Sequence, residues 1–106
     1  MEKGVKFTEE GDFLTARLFG EIDHHLAVGL REEIDGMLYR KKPKRLILDY
    51  SGVGFMDSSG IGLIIGRADV AEGMGCEVRV SGLSAHLKKL VRLSGVGKLK
   101  NLTIED

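Results

Sequence analysis

Only one cysteine, Cys76, and one proline, Pro43, occur in the 106 residues, and tryptophan is absent. A single cysteine excludes an intrachain disulfide and a cysteine-rich zinc site, and it fits a reducing compartment. Fifteen glycines accompany that lone proline, about twice the usual glycine share. Such a surplus without proline does not describe a linker; it describes a compact fold with many tight turns. No run approaches the ~20 apolar residues needed to cross a bilayer. The charged stretch from Met1 to Thr8 lacks the apolar core of a signal peptide. The expectation is a soluble cytoplasmic protein with no membrane partner. Net charge is missing too, since 16 Lys and Arg balance 16 Asp and Glu. That balance argues against a nucleic-acid partner, because such affinity rests on neutralising phosphates. The length suits a single domain, residues 1–106, able to bury roughly 65% of its unfolded surface.

What is present reads as alternating strands and helices. Val5 to Thr8 and Phe13 to Phe19 form two strands joined by Glu9-Glu10-Gly11-Asp12, a hairpin-type connection. Leu14, Ala16 and Leu18 alternate with Phe13, Thr15, Arg17 and Phe19, the period of a sheet. Gly20 breaks the strand, and Asp23 is placed to cap a helix running to about Arg40. Ala27, Leu30, Ile34, Met37 and Leu38 mark its apolar stripe, and Arg31, Glu32 and Asp35 are assigned to its wet face. Lys41-Lys42-Pro43-Lys44 reads as a solvated loop, because no aromatic platform accompanies it. Within Arg45 to Tyr50, the unbroken Leu46-Ile47-Leu48 predicts a strand buried on both faces. A second helix runs from the Asp57-Ser58-Ser59-Gly60 segment to about Met74. Glu77 to Ser81 is a strand, Ser84 caps a third helix ended by Gly95, and Leu99 to Ile104 is the last strand. The order β-β-α-β-α-β-α-β implies an α/β fold, a mostly parallel mixed sheet with an antiparallel N-terminal hairpin.

Several chemistries can be weighed on this frame. Gly60-Ile61-Gly62 followed by Gly66 gives G-x-G-x-x-x-G, one residue too long for a dinucleotide fingerprint. No acidic residue follows at the required strand end. Close packing of the helix on the sheet or on a partner explains those glycines better. Gly95-Val96-Gly97-Lys98-Leu99 lacks the Ser or Thr of a phosphate-binding loop. His24, His25 and His86 have no cysteine ligands nearby, so neither a metal nor a cofactor is expected. Ser58 and Ser59 stand at a helix start, where unpaired N–H groups and the positive dipole end lie. Either serine can simply cap the helix. Either can be a nucleophile if His24 or His25 supplies the base, although the G-x-S-x-G elbow is absent. Alternatively, Ser58 can accept a phosphate, which a helix N-terminus tolerates while a partner surface covering it does not.

The segment Phe55-Met56-Asp57-Ser58-Ser59-Gly60-Ile61-Gly62, extended through Ile65-Gly66-Arg67, resembles the signature of STAS domains. More closely, it resembles that of bacterial anti-sigma-factor antagonists of the sporulation sigma-F type. Leu18-Phe19-Gly20-Glu21-Ile22-Asp23-His24-His25 is similar to the Gly-Glu-Leu-Asp-His-His segment of that group, and Ser94-Gly95 is similar to its Ser-Gly-Leu. The resemblance spans the whole chain. It implies a STAS fold and a non-enzymatic regulator, probed by an anti-sigma factor that is also an ATP-dependent serine kinase. A PP2C-type phosphatase would reverse the modification. By motif position it makes Ser58 the phosphate acceptor supported by Asp57. Glu21, Asp23 and His24 fall on the partner-facing surface, and Ser59 and Gly60 start the docking helix. A STAS module of another network, such as a stress response, is the alternative. The expected state is a monomer. Two departures accompany the resemblance: family members usually carry a further helix after the last strand, leaving an edge or face less covered here, and Leu99-Lys100-Asn101 is less apolar than expected. Acidic Glu21, Asp23 and Asp57 should lie at one sheet end, with Lys41, Lys42, Lys44 and Arg45 at the other.

Overall fold

A computed structural model describes residues 4–105; Met1, Glu2 and Lys3 of the charged N-terminal stretch, and Asp106, lie outside the described residues. Strands β1 (Gly4–Glu10) and β2 (Phe13–Phe19) form the hairpin. Helix α1 (His24–Lys41), β3 (Arg45–Gly52), α2 (Ser58–Gly73), β4 (Glu77–Ser81), α3 (Ala85–Leu93) and β5 (Leu102–Ile104) follow. The sheet order is β1-β2-β3-β4-β5, with β1 antiparallel to β2 and every later pair parallel. Hairpin pairing continues to Glu10↔Phe13, so the connection is Gly11-Asp12 and not four residues. Gly11 takes the positive φ of 60° that so tight a turn demands.

Because strand order follows chain order, right-handed crossovers lay all three helices on one face of the sheet. Burial alternates accordingly. Leu14, Ala16 and Leu18 of β2, Leu46, Leu48 and Tyr50 of β3, and Val78 and Val80 of β4 are buried beneath the helices. Their neighbours Thr15, Ile47 and Arg79 are only half-buried. This corrects the expectation for Leu46-Ile47-Leu48: an apolar run cannot reveal that the crossovers leave the second face bare. Leu30, Ile34 and Leu38 bring α1 onto the core, and Leu87 and Val91 do so for α3.

Two further expectations are corrected. Asp35 is not on the wet face of α1; its Oδ1 lies 2.6 Å from Nε of Arg67, a guanidinium buried within α2. Burial lowers the Arg67 pKa from its ordinary value, and the Asp35 carboxylate opposes that shift. The last strand is only Leu102–Ile104, since Val96–Lys98 winds into a 3-10 turn. Asn101 then donates its side-chain amide to the carbonyls of Ala68 (2.9 Å) and Cys76 (3.3 Å). A polar residue there has two backbone carbonyls to meet. The basic cluster lies at the far sheet end as expected, where three of its four cations are paired: Lys41 with Glu9 (3.3 Å), Lys44 with Asp12 (3.8 Å) and Arg45 with Glu77 (3.1 Å).

Cys76 is buried, and burial raises its thiol pKa. The thiolate is the reactive form. Iodoacetamide should therefore leave the native chain unlabelled near neutral pH and label it only on unfolding, as read by mass spectrometry. Among the described residues, no helix is long and apolar enough to cross a membrane, and no three His, Cys, Asp or Glu side chains cluster to hold a metal ion.

Candidate functional site

Beyond the ends of β2 and β3, two loops run side by side and carry most of the residues singled out from sequence. The Gly20 amide donates to the Gly52 carbonyl (3.1 Å), that of Ile22 to Phe55 (3.0 Å) and that of Asp57 to Ile22 (3.1 Å). Ile22 and Met56 thereby form an isolated parallel bridge. Both are buried, at 0% and 3% exposure. The two-residue alternation of extended chain then turns their neighbours outward. Glu21 and Asp23 on one loop, and Phe55 and Asp57 on the other, are all exposed. Each loop ends in an aspartate that starts a helix. Asp23 Oδ1 accepts from the Leu26 amide (2.8 Å), and Asp57 Oδ1 from the Ser59 amide (2.7 Å). Two helix N-termini therefore emerge from two laced loops.

The cap of α2 is Asp57 and neither serine. An aspartate, with its charge at the dipole's positive end, takes the amide that a serine would otherwise have taken. Ser58 is left in the first helical position, exposed, and its hydroxyl makes no hydrogen bond among the described residues. Ser59 is half-buried. Among the described residues no histidine is hydrogen-bonded to either serine, and His24 and Ser59 border one groove. His24 is exposed at the start of α1.

Gly60, read as part of the docking surface, is instead buried. A Cβ there would stand 2.5 Å from Met56 Sδ. The first turn of α2 thus rests on Met56, and the phenol of Tyr50 supports it from below by donating to the Gly60 carbonyl (3.3 Å). Tyr50 is fully buried, and burial raises its phenol pKa far enough that it remains a donor. Tyr50, Met56 and Ile22 are the supporting residues that the sequence reading missed. The available signal was Ile22 as the single apolar residue between Glu21 and Asp23.

Gly62 and Gly66 do not serve close packing on the sheet, since a Cβ at either would meet nothing within 4 Å. They line a groove of about 320 Å³ between α1 and α2, together with His24, Val28, Arg31 and Ser59. The groove reaches Ser59, the neighbour of Ser58; Leu63 and Arg67 complete its α2 wall and Ala27 its α1 wall. A contrast follows. Gly60→Ala should lower stability by about 1–3 kcal/mol through overpacking on Met56. Gly62→Ala should raise it by about 0.5–1 kcal/mol, because alanine favours the helix. Urea denaturation of the two variants measures both.

Comparison with known proteins places this geometry. The STAS domain family matches residues 5–105. The chain is 34% identical over 99 residues to an anti-sigma F factor antagonist of Paenibacillus polymyxa, covering 93% of this chain and 85% of that relative. It is 35% identical over 81 residues to the anti-sigma F factor antagonist of Lysinibacillus sphaericus, covering 76% and 69%. Among solved structures, the Bacillus cell fate determinant SpoIIAA in its phosphorylated form superposes with a TM-score of 0.72 at 26% identity, covering 96% of this chain and 91% of that one.

Proposed function

This chain belongs to the STAS domain family, and on that premise we propose that it is an anti-sigma-factor antagonist switched by phosphorylation of Ser58. The unphosphorylated form binds an anti-sigma factor and frees the sigma factor; the anti-sigma factor, acting as an ATP-dependent serine kinase, phosphorylates Ser58 and ends the complex. A PP2C-type phosphatase restores the binding form. The observation that carries this reading is the Ser58 hydroxyl, exposed and unbonded because Asp57 takes the cap.

The chemistry follows from that geometry. Transfer joins the γ-phosphorus to Ser58 Oγ, breaks its bond to the bridging oxygen of ATP, and passes the hydroxyl proton to a base on the kinase. The product adds a charge of about −1.5 to −2 at a helix N-terminus, where amides and dipole favour it. Asp57 beside it repels it. The fold therefore accepts the phosphate while a partner seated over Ser58 does not. Glu21, Asp23 and His24 supply the exposed rim of the docking surface, with Asp57 and Ser59 beside the acceptor and Gly60 holding the turn from within. Gly62→Ala, stabilising in isolation, should weaken kinase binding by narrowing the groove; calorimetric titration reads the loss.

Incubation with the cognate kinase and ATP, followed by mass-spectrometric mapping, tests the assignment. Phosphate should appear on Ser58 and vanish in Ser58→Ala. Equal labelling of that variant would overturn it.

A further inference from the structure

Between Glu77 and Glu105 the chain has six cationic residues, Arg79, Lys88, Lys89, Arg92, Lys98 and Lys100, and no acidic one. The rest of the chain carries ten cations against all sixteen acids. Zero net charge therefore conceals a basic segment close to the C-terminus. Arg79 is engaged with Glu105 (3.3 Å) and Lys100 with Glu72 (3.4 Å), and Arg92 is engaged too. Lys88, Lys89 and Lys98 have no ion-pair partner among the described residues.

Helix α3 organises this charge. Leu87 and Val91 are buried on its inner side. Ala85, Lys88, Lys89, Arg92 and Leu93, at spacings of three and four, share the outer side and line a shallow hollow of about 310 Å³. Leu93 sits among the cations at 75% exposure, the highest of any large apolar side chain among the described residues. Because helices and strands alternate along the sheet, α2 stands between this face and α1.

The occupant can be chosen on size and chemistry. A helix of this length is roughly 14 Å long, and its outer side falls far short of the about 800 Å² that a stable protein partner covers. A single-stranded nucleic acid would want aromatic platforms, and α3 has none. An anionic lipid surface needs neither shape complementarity nor large area. It offers diffuse negative charge to lysines and an apolar layer to an exposed leucine. We propose that the outer face of α3 is a peripheral docking site for anionic lipid headgroups, independent of the Ser58 switch. Each cation near such a surface is worth about fivefold in partitioning, so attachment is reversible and salt-sensitive.

The test is co-sedimentation of the full chain with phosphatidylcholine vesicles, with and without phosphatidylglycerol. Binding should require phosphatidylglycerol, fall with added salt, and drop about 25-fold in a Lys88→Gln, Lys89→Gln double variant. A Lys41→Gln, Lys44→Gln pair, with the same change in net charge, should bind as the parent does. Equal loss in both pairs, or no preference for anionic vesicles, would overturn the proposal. Binding to polyglutamate or single-stranded RNA in place of vesicles would also overturn it. Ser58 labelling by the kinase should be unchanged in the Lys88, Lys89 variant, which separates failure here from failure of the switch.

Discussion

Ser58→Asp should abolish the complex with the anti-sigma kinase while leaving the fold intact. The substituted carboxylate lies in the first turn of α2, where exposed amides and the helix dipole stabilise negative charge. Folding stability should therefore change by less than about 1 kcal/mol. On the proposed function a partner surface seated over Ser58 meets the same charge unpaired, and an unpaired charge at an interface costs about 2–5 kcal/mol. That corresponds to a roughly 30- to several-thousand-fold loss of affinity. Ser58→Ala, which adds no charge, should bind as the parent does. Titration of all three proteins into the kinase by calorimetry checks the ordering, and thermal denaturation checks that the fold persists.

The largest effect on stability is expected from Asp35→Ala. Arg67 is 4% exposed and Asp35 23%, with 2.6 Å between the paired atoms. Removing the carboxylate strands a buried guanidinium, which costs about 3–5 kcal/mol when nothing replaces the partner. The solvent that reaches Asp35 puts the expected loss near the lower end, about 3 kcal/mol. Replacing both residues, Asp35→Ala with Arg67→Met, should recover most of it, because no buried charge remains. Urea denaturation gives the free energies, and the rate of Cys76 alkylation offers an independent reading of opening. If the single variant matches the parent, the pair is not what joins α1 to α2.

These two sites differ in how far the sequence displays them. The switch is local. Asp57, Ser58 and Ser59 are consecutive, and a capping residue before a helical stretch is visible without coordinates. Even so, the sequence reading offered only the two serines as caps, and the structure shows that Asp57 takes the Ser59 amide. Asp23 before α1 was legible for the same local reason, and the alternation of Leu14, Ala16 and Leu18 correctly gave the inner face of β2. The strand and helix order was legible throughout, because each element has its own period.

What sequence could not show is set by long-range contacts. Asp35 looks like any solvated carboxylate on α1 until α2 brings Arg67 against it. Ile47 reads as doubly buried because its neighbours are apolar, but the shared hand of the crossovers decides which face is covered. The charged groups lie at the sheet ends that the sequence reading assigned them. Glu21, Asp23 and Asp57 do gather on the laced loops, while the opposite lysines find Glu9 and Asp12 from the hairpin. Gly62 and Gly66, read as packing on the sheet or on a partner, meet nothing within the chain and border an open groove.

On the proposed function, one phosphate on Ser58 decides whether this domain displaces a sigma factor. The most direct measurement starts from a preformed complex of the anti-sigma kinase with its sigma factor. Unphosphorylated protein and protein phosphorylated at Ser58 are added separately, and free sigma factor is quantified. Release by the unphosphorylated form alone, with the phosphorylated form at least about 30-fold less potent, is the predicted result. Equal release by both forms would contradict it.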